Sequence, residues 1–454
     1  MERKRFAGID MPPELKTNNF FFLYLNTLLI GILITIPGII QPAFLKDILK
    51  VSEGFFGSIN GVLQSMAQAA SLLFVGIIGV ISDKTGRKPL AVAGFALLAV
   101  FYFLYLYSDL IASVLHIPAG FAATVCAALS LSSAKELFIP FSPGLLAAYA
   151  VRFLIGLSLV MVYPQFKTMV ADYTDEKDRG KGLALNGVMI GLGSLVVFTV
   201  CAPLGRKSGV EMLFYISACI AAAGTVLCLC GLRERLPEQK SEKRGFKELI
   251  RVVKNSPVLQ AGYLCAFITR ADIVLLGTYL IAWAVKIAPE YGLSSEAASF
   301  KGAVPMMVMG GFSLFAYPVF GILLDRWGRV ATIILTLLLG GAGFLCVAAS
   351  PTPFPGILSI VGVLLIACSV SGAVVGSNAL SVDASPPELV GATLGGLNTV
   401  AMIGIIIFLF CGGLIFDKVS PGWVFIIKGL INLALGILFF IARKKISVNS
   451  AATV

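Results

Sequence analysis

The sequence predicts an all-α membrane protein of twelve transmembrane helices, and three observations carry that reading. The 454 residues are 58% hydrophobic and only 13% charged, whereas soluble domains are about a quarter charged. Mean hydropathy is +0.93. The charges gather in short clusters between apolar runs of 20 or more residues, long enough to cross a hydrocarbon core of about 30 Å. A folded core cannot take up that much apolar surface, but a bilayer can.

The twelve runs fall near residues 19–45, 54–82, 88–107, 145–170, 182–203 and 210–232, then 258–286, 300–324, 330–349, 356–382, 392–416 and 421–442. They are numbered here as spans one to twelve. The first eighteen residues are polar and basic, and the first apolar run is too long for the core of a cleavable signal. Orientation follows from Lys and Arg. With both termini cytoplasmic, the inner segments hold 23 bases and the outer loops eight. The net charge of +11 is therefore mostly a positive-inside bias, and it needs no nucleic acid. The nine cysteines all lie in apolar stretches and read as small buried hydrophobes. The lone His116 sits in an outer loop, so neither a metal site nor a cofactor is expected.

The most charged stretch, 233–254, divides the runs six and six. The expected organisation is an N-terminal bundle at 1–232, a linker at 233–257 and a C-terminal bundle at 258–454. Within the linker, 246–253 is amphipathic and suits a membrane surface. The two halves echo each other. Gly79-Val-Ile-Ser-Asp83-Lys-Thr-Gly86-Arg87-Lys88 follows span two, and Gly321-Ile-Leu-Leu-Asp325-Arg-Trp-Gly328-Arg329 follows span eight, 242 residues later. A second echo relates Asp172, Gly180, Leu183 and Gly193 to Asp383, Gly391, Leu394 and Gly404, 211 residues later. The difference of 31 residues places an insertion in the first half, at 109–143 on the outer side. Its apolar stretch 119–131 suits a short amphipathic or re-entrant helix.

The doubled Gly-x-x-x-Asp-x-x-Gly-Arg motif resembles the signature loop of the major facilitator superfamily, and the resemblance spans the whole chain. It implies two pseudo-symmetric six-helix bundles, no enzymatic activity, and alternating access for a small-molecule substrate. Gly79 and Gly321 are expected to let spans two and eight pack closely against neighbours. Asp83 and Arg87 lie at the cytoplasmic edge, where the carboxylate suits the N-terminus of span eleven and Arg87 suits Asp83 or an acid of the opposite half. By resemblance Gly86, Arg87 and Lys88, with Gly328 and Arg329, complete a gating cluster that clamps the halves in one state. Arg152-Phe-Leu-Ile-Gly156 on span four resembles the family's second motif. Gly187-x-x-x-Gly191-x-Gly193 on span five resembles the antiporter motif, with Leu192 where proline is expected.

Ionisable residues inside a bilayer are costly, so each is a functional candidate. The bases left inside the spans are Arg152, Lys167, Arg270 and Lys428, and Asp272 is the one deep acid. Lys167 is expected to snorkel. Arg270 and Asp272 lie 13 and 15 residues past Pro257, about 20 Å into span seven, the depth of transporter sites. Two residues apart, they do not share a helix face, and Lys428 is the candidate partner for Asp272. Arg152 and Arg270 are expected to bind an anionic group of the substrate, with Asp272 carrying a coupling proton; a static buried ion-pair network is the competing reading. Asn60, Gln64 and Gln68 form one stripe on span two. Thr35, Pro37, Gln41 and Pro42 suggest that span one breaks near its outer end. Tyr163 and Gln165 on span four, Tyr279 and Trp283 on span seven, Met306, Met307 and Met309 on span eight, and Asn378 on span ten suit a polar cavity, or equally helix packing.

The sequence thus favours a secondary transporter of a small organic anion or zwitterion, proton-coupled, monomeric and in a bacterial inner membrane. The alternative is a proton-driven drug or metabolite exporter of the same fold, and a more distant one is a non-transporting receptor or scaffold.

Overall fold

The computed structural model describes residues 5–175, 177–235 and 246–446. It is nearly all helix, with one two-residue hairpin at Arg5–Phe6 and Ile9–Asp10. Among the described residues, twelve helices are long and apolar enough to span a membrane. Spans one to six are Thr17–Ile48, Glu53–Thr85, Arg87–Leu106, Ser142–Tyr173, Arg179–Ser208 and Val210–Gly231. Spans seven to twelve are Pro257–Lys286, Ser295–Arg326, Arg329–Ala348, Ile357–Asp383, Val390–Lys418 and Pro421–Ile446. Each overlaps the run read from hydropathy.

The chain forms two compact units. Unit one comprises residues 1–53, 62–240 and 288–300; unit two comprises 54–61, 241–287 and 301–454. The start of span two thus belongs with the later helices, and the start of span eight with the earlier ones. The linker residues 236–245 lie outside the described residues. The amphipathic segment beyond them is a helix, Phe246–Asn255. It does more than float on a surface, because Leu249 is buried and stands where a Cβ at Gly396 of span eleven would strike it.

Several spans are not continuous α-helix. Span one is divided at Ile36 into Thr17–Thr35 and Pro37–Ala43, followed by a π-helical turn at Phe44–Ile48. Proline at 37 removes a donor from the ladder, which explains the break. Span seven is divided at Arg270 into Pro257–Thr269 and Ala271–Lys286. Span five is α-helical over Arg179–Val196, takes a π-helical turn at Val197–Cys201 and resumes as α-helix over Ala202–Ser208. At Ile36 and Arg270 the backbone stays right-handed helical and each N–H still reaches the carbonyl four residues back, so the chain keeps its course through both interruptions.

Glycine sets the closest helix approaches. Gly193 of span five lies against the Leu28 carbonyl of span one, and its echo Gly404 of span eleven lies against the Phe267 carbonyl of span seven. The internal repeat read from sequence is therefore a repeat of packing. Gly79 and Gly321 correct the expectation made for them. A Cβ at either would meet nothing within 4 Å, so neither is the site of a tight approach in its unit.

The insertion forms a helical turn at Ser108–Val114 and a helix at Ala119–Leu129. Ala122, Ala123, Cys126 and Ala127 of the longer helix are buried, while Phe121 is exposed. The insertion is tied to the start of span four, where the Ser142 hydroxyl donates to the Ala119 carbonyl at 3.3 Å. Burial between these elements pushes the Asp109 carboxyl above its ordinary value, and Lys50 opposes the shift.

Candidate functional site

The site in unit one is built on span four. Gly156 sits one turn past Arg152 and packs on the backbone of Ala67 in span two, where a Cβ would come within 2.6 Å. That approach brings Arg152 to Gln64, three residues before Ala67. The Arg152 Nη2 donates to Gln64 Oε1 at 2.7 Å. Arg152 is only 3% exposed. Its Nε and Nη1 are buried and find no hydrogen-bond partner among the described residues. The hydroxyl of Tyr105, on span three, is also buried and unpartnered. The Tyr102 hydroxyl, one turn earlier on the same helix, donates to the Leu33 carbonyl of span one at 2.5 Å. Neither tyrosine was singled out from sequence, although their spacing of three puts both on one helix face.

The corresponding site in unit two surrounds the break in span seven. Arg270 Nη2 donates to Asn378 Oδ1 of span ten at 2.9 Å. Each unit thus pairs an arginine with a side-chain amide on a neighbouring helix. Asp272 turns elsewhere. It is ion-paired with Lys428 of span twelve, and Asn432 Nδ2 donates to its Oδ2 at 3.1 Å. Lys428 in turn donates to Asn432 Oδ1 at 2.7 Å. Aspartate, lysine and asparagine are exposed by 0%, 1% and 0%. The ammonium also lies 4.9 Å from the Phe408 ring and 5.5 Å from the Phe344 ring, so aromatic faces complete its surroundings.

Other polar candidates are engaged in helix packing. Asn60 donates to the Thr278 carbonyl at 3.2 Å. The Tyr279 hydroxyl donates to the Leu409 carbonyl, and its ring packs on Phe416. Gln165 accepts from the Ser82 hydroxyl at 2.5 Å. Lys167 Nζ lies 4.5 Å from the Tyr163 ring. Gln41 is fully buried in the short helix that ends span one.

The motif loops close onto acids of their own units. Arg87 Nε lies 2.6 Å from Asp172 and its Nη2 3.9 Å from Asp83. Arg329 lies 2.6 Å from Asp325 and 3.0 Å from Asp383. The expected partner for Arg87 was Asp83 or an acid of the opposite half, yet the closer carboxylate is Asp172 of the same unit. Asp83 itself has a side chain 60% exposed. Gly86 and Gly328 precede spans three and nine with φ of +98° and +88°, a conformation that a side chain would strain. Behind Gly86 the Glu234 carboxylate accepts the backbone N–H groups of Arg87 and Lys88 at 3.0 and 2.7 Å. A carboxylate there satisfies orphan donors at a helix start. Glu234→Ala is expected to cost about 1–2 kcal/mol and to speed amide exchange at Arg87 and Lys88. Unchanged exchange in hydrogen–deuterium measurements would contradict the capping role.

Two further carboxylates hold the starts of spans two and eight. Asp417 accepts from the backbone N–H of Gly57 and Ser58, each at 2.7 Å, and from the Ser58 hydroxyl at 2.6 Å, all within unit two. Asp47 accepts from the Ser295 hydroxyl at 2.8 Å within unit one. Asp417→Asn should weaken the span two cap by about 1–3 kcal/mol. The check is faster amide exchange at 57 and 58, and exchange equal to wild type would refute it. At the other end, Asp178 accepts the Asp10 N–H at 2.9 Å and pairs with Lys181 at 2.8 Å. The backbone donor, then the lysine, hold its carboxyl below the ordinary value.

Comparison with known proteins now decides the family. A sequence profile described as Major Facilitator Superfamily matches residues 23–311 and again 263–453. The chain belongs to the major facilitator superfamily. It is 26% identical to the magnetosome protein MamH of Paramagnetospirillum magneticum, over 93% of this chain and 92% of that one. It is 25% identical to the magnetosome protein MamZ of the same organism, over 86% of this chain, and spans only 57% of that longer protein. Among solved structures, the nucleoside transporter NupG superposes with a TM-score of 0.70 at 13% identity, covering 94% of this chain and 99% of that one. The inward-open xylose transporter XylE of E. coli gives 0.64 at 16% identity, covering 96% and 97%. These superpositions show the fold of a superfamily transporter and leave the substrate to the site itself.

Proposed function

We propose that this superfamily member is a secondary transporter of a small organic solute carrying a negative group, either an anion or a zwitterion. One observation carries the reading: the Arg152 guanidinium is buried with two of its nitrogens unpartnered. A buried charge without a counter-charge is costly. A ligand carboxylate or phosphate would supply the missing acceptors in the forked geometry that guanidinium favours. A neutral sugar or nucleoside would leave the charge uncompensated. Arg270, steadied by Asn378 where span seven breaks, is the second cationic contact. Both termini are read as cytoplasmic from the positive-inside bias.

The closed Asp272–Lys428–Asn432 cluster supports the ion-pair reading over the proton-carrier one, since its members are sealed inside unit two. Proton coupling of the cycle is tested directly. The protein is reconstituted in proteoliposomes and offered radiolabelled carboxylates, amino acids, phosphate esters and neutral sugars, with and without a pH gradient. The expected result is saturable uptake of an anionic or zwitterionic solute, driven further by the gradient. Flux of neutral solutes alone would overturn the anion reading, and flux indifferent to the gradient would remove proton coupling. Absence of flux under every gradient would favour the receptor reading.

MamH, matching along nearly the whole of both chains, favours a second statement about place, residence in a magnetosome membrane. A fluorescent fusion confined to the cell envelope of a magnetosome-forming host would contradict it.

A further inference from the structure

We propose that unit two binds an anionic phospholipid in the groove between the ends of spans nine, ten and twelve. The groove has a volume of about 1050 Å³ and is lined entirely by residues of that unit. Its walls are apolar: Ile334, Leu335 and Leu338 from span nine, Leu380 from span ten and Phe440 from span twelve. Its mouth carries Arg329, Arg443 and Lys444 together with Asp383; Arg329 is paired with both Asp325 and Asp383, which leaves Arg443 and Lys444 as the bases nearest the headgroup position. From Arg329 to Leu338 is about 14 Å along the helix, so charge at the mouth gives way to hydrocarbon depth within one groove. Leu338 and Phe440 are 39% and 54% exposed, which opens the walls toward the lipid side. Trp327, at the mouth and 63% exposed, is the amphipathic ring expected at a membrane interface. Basic pockets between helices at the cytoplasmic face are suited to anionic headgroups, and the orientation proposed above puts this mouth on that face.

The internal repeat supplies an independent argument. In unit one the equivalent helix start, behind Gly86, is filled by the Glu234 carboxylate, which a Cβ on the glycine would meet at 2.8 Å. In unit two a Cβ on Gly328 would meet no atom of the described residues within 4 Å. The position that a protein carboxylate occupies in one half opens, in the other, on a cationic groove. A phosphate at that mouth is the chemical equivalent of Glu234. Arg443, whose guanidinium lies 4.7 Å from the Phe440 ring, is held over the apolar wall where a headgroup meets its chains. Free phosphate would use the mouth but not the walls.

The test is native mass spectrometry of the full-length protein in detergent with phosphatidylglycerol or phosphatidylcholine added. Phosphatidylglycerol should be retained roughly tenfold better. Arg443→Gln with Lys444→Gln should lower its retention about thirtyfold, about fivefold for each cation removed near the headgroup. Leu338→Trp, which fills the groove without touching a charge, should exclude the lipid independently. Equal retention of the two lipids, or retention unchanged in both variants, overturns the proposal. So does displacement of phosphatidylglycerol by equimolar inorganic phosphate, which would mark a free-anion site.

Discussion

Asp272→Asn should lower stability by about 3–5 kcal/mol, because it leaves the Lys428 ammonium charged and unpaired in a sealed position. Lys428→Met alone should cost as much for the mirror reason. The double variant, Asp272→Asn with Lys428→Met, should regain most of the loss, since replacing both partners of a buried pair is often close to neutral. Thermal unfolding of the purified protein under one fixed scan rate measures all three. The competing outcome is specific. If Asp272→Asn unfolds like wild type, loses gradient-driven accumulation and keeps counterflow exchange, then Asp272 carries the coupling proton and the ion pair is dynamic.

Arg152→Gln should weaken substrate binding by about 10- to 150-fold, the equivalent of one or two charge-assisted hydrogen bonds. Its fold should survive. The variant removes an uncompensated charge from a buried position, so its unfolding temperature should equal or exceed that of the wild type. This combination separates recognition from scaffolding, because loss of a structural residue lowers binding and stability together. Unaltered affinity with reduced stability would place Arg152 among the packing residues.

The helix count, the six-and-six layout and the internal repeat were legible because each rests on composition or on spacing along the chain. The Asp272–Lys428 partnership was legible too, since two opposite charges deep in apolar spans have few other options. The closing partners of the motif arginines were half visible. Asp172 and Asp383 stood out as echoes 211 residues apart, and Arg87 and Arg329 as echoes 242 apart. Nothing in the sequence said that each arginine meets the aspartate of its own repeat, because that meeting depends on how the ends of spans two and four, or eight and ten, converge. Glu234 was read as one charge among many in a basic linker. Its role as a cap needs the chain to return from span six to the start of span three.

The glycines show the same limit. Gly156, Gly193 and Gly404 make close helix approaches, while Gly79 and Gly321 face open space in their units. Small residues permit a tight contact without dictating one. A tyrosine in an apolar span such as Tyr105 reads as packing, and only its buried hydroxyl without a partner among the described residues marks it out. The asymmetry between Gly86 and Gly328 was equally invisible, since the two loops look alike in sequence and differ only in what fills the space behind them.

The most direct test of the anion reading is a cryo-electron microscopy map of the protein in lipid nanodiscs, saturated with the carboxylate or phosphate solute that it transports best. The account predicts solute density within hydrogen-bonding distance of Arg152 Nε and Nη1. Density bound elsewhere, with those two nitrogens still unpartnered, would contradict it.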